Sequence, residues 1–164
     1  MILAGTGHRP DKLGGYADDV RLRLEAFAET QLVALRPERV ISGMALGWDQ
    51  ALAVAAVTLG IPLIAAVPFA EQAAAWPEGS QLRYRNLLAE AAEVHTICPP
   101  GYAGWKMQQR NNWMVIKSDV LLALWNGTSG GTANCVSYDK KNERKIVNVW
   151  DEWERFVDAR TDRG

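Results

Sequence analysis

RVISGMALGWDQALAVAAVTLG, residues 39–60, holds a strand, a glycine turn and a helix in immediate succession. Arg39-Val40-Ile41 is a short β-branched run and reads as a strand. Ser42 to Gly47 break the pattern with two glycines. From Asp49 to Leu59 almost every residue is apolar, and Gly60 and Pro62 end the run as they end a helix. A helix with no polar face is buried on most sides or lies against a partner subunit.

The same alternation runs outward in both directions. Met1 to Ala4 is an apolar strand entering Gly5-Thr6-Gly7. Residues 17–35 carry Val20, Leu24, Phe27 and Leu35 on one helical stripe, with Asp18 and Asp19 in the first turn and Pro37 as the stop. Downstream, 63–69 reads as β and 80–92 as a helix with Ser80 as N-cap. Residues 94–98 are a strand and Pro99-Pro100-Gly101 a loop. A helix over 105–117, a strand over 120–125 and a helix over 132–142 follow. A last strand over 146–150 leads to a polar tail from Asp151 with a short helix. Strand–helix alternation of this kind predicts one α/β domain over 1–164, a mostly parallel sheet with helices on both faces.

Composition sets outer bounds. The 164 residues carry 48% hydrophobic and 23% charged side chains, ordinary values for a globular domain with one core. A formal net charge of −1 excludes a polybasic nucleic-acid arm, so nucleic acid is an unlikely partner on charge grounds. No apolar run has the ~18 residues of a membrane span. The N-terminus shows no basic n-region or cleavage site, and two cysteines, Cys98 and Cys135, fit a reducing compartment, so a cytoplasmic protein is expected. Two His and two Cys in non-ligand spacing predict no metal site.

Three polar or glycine-rich turns fall at strand ends that lead into helices. They are Gly5 to Pro10, Ser42 to Asp49, and Trp125 to Thr132. In an open doubly wound sheet, ligands bind in the crevice outside the carboxyl ends of the strands. In the second turn, Gly43 and Gly47 are expected to supply φ > 0 and a close backbone approach. The first amides of the following helix then suit a phosphate, with Ser42 adding a hydroxyl and Met44 lying within the turn. Asp49 fits a ribose hydroxyl or a helix cap. In the third turn, Asn126, Thr128, Ser129 and Thr132 surround Gly127, Gly130 and Gly131 with donors. In the first turn, Thr6 and Gly7 lead to His8, an acid–base group or a loop brace, and to Arg9, a phosphate clamp or a surface ion-pair partner. Arg110 and Asn111 share a stripe with Met107 and Met114, so they face a site, a partner or solvent. Trp48, Trp105 and Trp125 border the turns and can stack on a base or pack in the core. His95 reads as a strand residue, and Cys135 as a small buried one. The P-loop and dinucleotide patterns fail, because Trp48-Asp49 follow Gly47 and Pro10 stands at the third glycine position.

Together GTGHRPDKLGGY (5–16), SGMALGWDQ (42–50), QRNNWM (109–114) and WNGTSGGTANCV (125–136) resemble the SLOG superfamily of Rossmann-like proteins, its YpsA-like branch above all. The resemblance implies a Rossmann-like domain that binds a nucleotide-derived molecule at its glycine turns, with an NAD-, ADP-ribose- or nucleoside-phosphate-like ligand. It also relates the chain to DNA-processing protein A and to LOG-type enzymes, which hydrolyse the N-glycosidic bond of nucleoside monophosphates with a Glu just after their glycine turn. Here Ala133-Asn134-Cys135 follow Gly130-Gly131-Thr132, without a carboxylate. Ligand binding or sensing is therefore the leading expectation. Hydrolysis with Asp49 or His8 as the acid–base group, or with Glu71 in place of the missing acid, is the alternative, and single-stranded DNA binding a third. The apolar helix and seven Trp predict a homodimer or larger assembly.

Overall fold

In a computed structural model, which describes residues 1–163, the six predicted strands form one sheet. They are β1 (Ile2–Gly7), β2 (Arg39–Ser42), β3 (Leu63–Val67), β4 (Glu93–Thr96), β5 (Val120–Leu124) and β6 (Lys145–Asn148). The order is β4-β3-β2-β1-β5-β6 and every neighbouring pair is parallel. The helices are α1 (Asp18–Leu35), α2 (Trp48–Thr58), α3 (Glu78–Glu90), α4 (Gly104–Lys117), α5 (Gly131–Lys141) and α6 (Trp150–Thr161).

The strands' period of two divides the core. Leu3, Val40, Leu63, Leu122 and Leu124 face a cluster with α1, α2, α3 and α6. Ala4, Ile41, Ile64, Leu121 and Ala123 face a second cluster with α4 and α5. The chain winds from β1 towards β4 on the first side, then crosses to β5 by way of α4 on the second. The winding direction therefore reverses between β1 and β5, the place where an open α/β sheet leaves a crevice.

Three expectations change. Helix α3 starts at Glu78 after Pro77, and Ser80 lies inside it, accepting from Arg83 Nη2 at 3.2 Å. The polar tail is an amphipathic helix whose Trp153 is buried against Phe27, with ring centroids 5.3 Å apart. Helix α2 is covered over most of its surface by the sheet, α1 and α3, with Ala51 and Val54 left facing an open pocket between the two helices. Most of its apolar surface is thus buried without a second subunit.

Candidate functional site

The glycines of β1 serve packing. Gly5 and Gly7 point to the α2 side, where a Cβ on Gly5 would run into Leu52 and one on Gly7 would lie 2.6 Å from Trp48 Cγ. Trp48 fills that space, is fully buried, and its Nε1 points to the Leu122 carbonyl at 3.4 Å. It cannot stack on a ligand, against the expectation from its place beside a turn. Thr6, between the two glycines, points to the opposite side.

The 42–49 turn is closed on itself. Ser42 Oγ donates to the Asp49 carbonyl at 2.7 Å and accepts from Met44 N at 3.1 Å, so its hydroxyl is not free for a ligand. Met44 is buried at φ 64° and Gln50 Nε2 donates to its carbonyl at 3.2 Å. Left-handed backbone therefore falls on Met44 and on Gly47 (φ 94°), not on Gly43. A Cβ on Gly47 would lie 2.6 Å from the His8 carbonyl, which accepts from Trp48 N at 3.2 Å. Gly47 thus joins the first two turns. With Gln50 N donating to the Ala45 carbonyl as well, the start of α2 offers little to a phosphate, contrary to the sequence expectation.

What Gly43 provides is room. A Cβ there would lie 2.6 Å from Arg110 Nη1 and 2.9 Å from Asp49 Oδ2, so the missing side chain lets acid and base face one small space. Arg110 is buried, donates from Nη1 to the Gly43 carbonyl, and from Nε to Asn111 Oδ1 at 3.0 Å. Gln72 Nε2 donates to the same Gly43 carbonyl at 2.9 Å, and Tyr84 donates to Gln72 Oε1 at 3.2 Å. Burial pushes the Asp49 carboxyl up to about 6, against the pull of Arg110 and a backbone hydrogen bond from Ala45. The Cys135 thiol, beside Thr6, is pushed up to about 12 by burial and is no nucleophile at neutral pH.

The third turn is the open one. No protein group accepts from the N–H of Gly131, Thr132 or Ala133 among the described residues, so the first turn of α5 presents free donors. Asn126 Oδ1 accepts from Thr128 N (3.1 Å) and Thr128 Oγ1 (2.6 Å), and Trp125 Nε1 donates to the Thr128 carbonyl at 2.7 Å. His8 anchors this loop. Its Nε2 lies 3.1 Å from Asn126 N and 2.8 Å from Asn126 Oδ1; a bare Nε2 accepts from the amide and a protonated one donates to the oxygen. Burial lowers the His8 pKa and so favours the neutral ring, which braces the loop through Asn126 in either tautomer.

These parts enclose a crevice of about 330 Å³ at the carboxyl ends of β1 and β5. Of the residues expected from the sequence, Thr6, Gly7, His8 and Arg9 line it from the first turn and Asp49 from the second. Arg110 and Asn111 line it from α4, and Ser129 to Thr132 from the third turn. Ser42, Gly43, Met44 and Trp48 are buried behind the wall, Gly47 faces away from it, and Asn126, Gly127 and Thr128 are exposed beside it without lining it. Gly5 of the first turn lines it as well, and Asp11, Lys12, Ala45 and Met107 do so without having been singled out as ligand contacts. Lys12 Nζ donates to Thr128 Oγ1 at 2.8 Å and closes the rim. Trp105 lies outside the crevice and is 59% exposed, so neither stacking there nor core packing describes it.

The family model for YpsA, described as the YspA SLOG family, matches residues 3–150. The chain belongs to the YpsA SLOG family. It is similar to the SPbeta prophage-derived protein YoqJ of Bacillus subtilis (strain 168), 31% identical over 135 residues, 73% of this chain and 79% of that one. It is 28% identical over 163 residues to a UPF0398 protein of Bacillus thuringiensis (strain Al Hakam), covering 90% of this chain and 86% of that protein. Among solved structures, DNA processing protein A from Streptococcus pneumoniae superposes with TM-score 0.65 at 15% identity, over 99% of this chain and 56% of that one. The molybdenum cofactor carrier protein from Chlamydomonas reinhardtii superposes with TM-score 0.59 at 16% identity, over 94% and 80%. This SLOG chain thus spans little more than half of the first structure's length. At such identities the likeness is one of fold. Helix α6 begins where the family match ends, and its Trp150 sets its ring edge-on to His8 at 5.9 Å.

Proposed function

We propose that the crevice binds a nucleotide-derived small molecule. The phosphate sits on the open N-terminus of α5, where unpartnered amides and the helix dipole meet an anion. Arg9 and Lys12 at the rim offset its charge. Deeper in, Asp49 accepts from sugar hydroxyls, and Arg110 and Asn111 hold the polar edge. The observation that carries this reading is the contrast between two helix starts on one crevice: at α2 the Trp48 and Gln50 amides bond the His8 and Ala45 carbonyls, and at α5 the Gly131, Thr132 and Ala133 amides have no protein acceptor among the described residues. Near-neutral net charge supports a metabolite over a DNA strand.

Hydrolysis of an N-glycosidic bond is the second reading, and Asp49 supports it. A buried carboxyl pushed up to about 6 exchanges a proton near neutral pH, as a general acid must. Titration with AMP, ADP-ribose and NAD by calorimetry, followed by chromatography for released base, tests both. Binding without base release supports the first reading. Turnover lost in Asp49→Asn supports the second, and no binding of any of the three refutes the proposal.

A further inference from the structure

On the opposite side of the sheet, α1 and α3 stand on either side of α2 and leave its outward face at the bottom of a pocket of about 500 Å³. Ala51 and Val54 form the floor, Val20 and Leu24 one wall, Leu87 the other, and Leu13 the upper end. Volume and apolar lining are those of small-molecule pockets. The loop from Pro10 to Tyr16 separates it from the crevice: Asp11 and Lys12 face the crevice, and Pro10, Leu13 and Tyr16 face the pocket.

The charges at its mouth are not equivalent. Arg21 is neutralised by Glu25 at 3.0 Å and Asp18 at 3.6 Å. Arg83 has no carboxylate within 4.0 Å among the described residues; Nη2 bonds only Ser80 Oγ, and Nε lies out of water without a partner. Glu90 is exposed and stays in water. An apolar cavity edged by one uncompensated guanidinium suits a ligand with an apolar body and a single anionic group.

We propose that this pocket is a second ligand site, for a small aromatic or otherwise apolar monoanion, with Arg83 as its counter-ion. Anilinonaphthalene sulfonate, an aromatic monoanion, is the probe, and neutral naphthalenemethanol the control. The folded chain binds one sulfonate per molecule with enhanced fluorescence, and naphthalenemethanol competes. Arg83→Gln weakens the sulfonate by about tenfold and leaves the neutral competitor unchanged, the loss of one charge-assisted hydrogen bond. Val54→Trp fills the floor and abolishes both. Circular dichroism and melting confirm that the variants fold; if Val54→Trp does not, Arg83→Gln decides alone. The absence of a saturable site in the wild type, or equal sulfonate binding by Arg83→Gln, overturns the proposal. So does a wild-type dimer by sedimentation that excludes the probe, which assigns the pocket to a second copy.

Discussion

Asp49→Asn isolates the buried carboxyl of the crevice. Burial raises the Asp49 pKa from 3.8 to about 6, and Arg110 and the Ala45 amide only partly offset it. Between those values the folded chain holds a proton that the unfolded chain has released. Stability therefore falls as pH rises through that window and stays low above it. The window is about 2 pH units wide and each unit is worth about 1.4 kcal/mol, so the ionised carboxylate costs up to about 3 kcal/mol above pH 6. Asparagine mimics the protonated acid in shape and charge. Urea denaturation of both proteins from pH 4 to pH 8 gives the test. The variant matches the wild type near pH 4 and gains on it steadily, by up to about 3 kcal/mol at pH 7. His8 and Asp139, whose folded pKa values also move, are present in both proteins and cancel in the difference. A flat difference, or a wild type that gains on the variant with rising pH, refutes the reasoning. The latter result means that Arg110 outweighs desolvation.

Gly43→Ala places a methyl 2.6 Å from Arg110 Nη1 and displaces the guanidinium. AMP affinity by calorimetry falls at least about tenfold, and urea unfolding shows a loss of about 1–3 kcal/mol. Trp153→Ala opens a cavity between α6 and Phe27 and costs about 3–5 kcal/mol in the same assay, although the residue lies beyond the family match. The Cys135 thiol, held near 12, does not react with iodoacetamide at pH 8 in the folded protein and reacts on unfolding; peptide mapping of the adduct checks this.

The strand–helix alternation was legible because the central strands are apolar runs, β3 and β5 buried along their whole length, and the connections between elements carry Gly, Pro or Asp. Parallel pairing and cover on both sides followed from it. Which side of a turn a residue faces was not legible. Trp48 and Ser42 sit beside glycines exactly as ligand-binding residues do, yet the phase of α2 turns Trp48 into the core and the turn consumes the Ser42 hydroxyl. Gly5 and Gly7 read as a ligand turn, and their real constraint is Leu52 and the Trp48 indole packed on them, more than 40 residues further along the chain. Lys12 reaches the crevice through a short 3-10 turn that no local pattern announces, whereas Met107 follows from the stripe it shares with Arg110. Arg110 stood out in the sequence as a cation on an apolar stripe, with site, partner or solvent left open; in the fold it is buried and bonds the Gly43 carbonyl.

Amide NMR on the labelled chain, titrated with AMP, tests most directly whether the separated turns form one anion-binding crevice. The account predicts saturable shifts at Gly7, Asp49 and Asn111, largest at Gly131, Thr132 and Ala133, with Leu24, Val54 and Leu87 unmoved. Saturable shifts confined to the α1–α2–α3 pocket, or no shift at the start of α5, would contradict it.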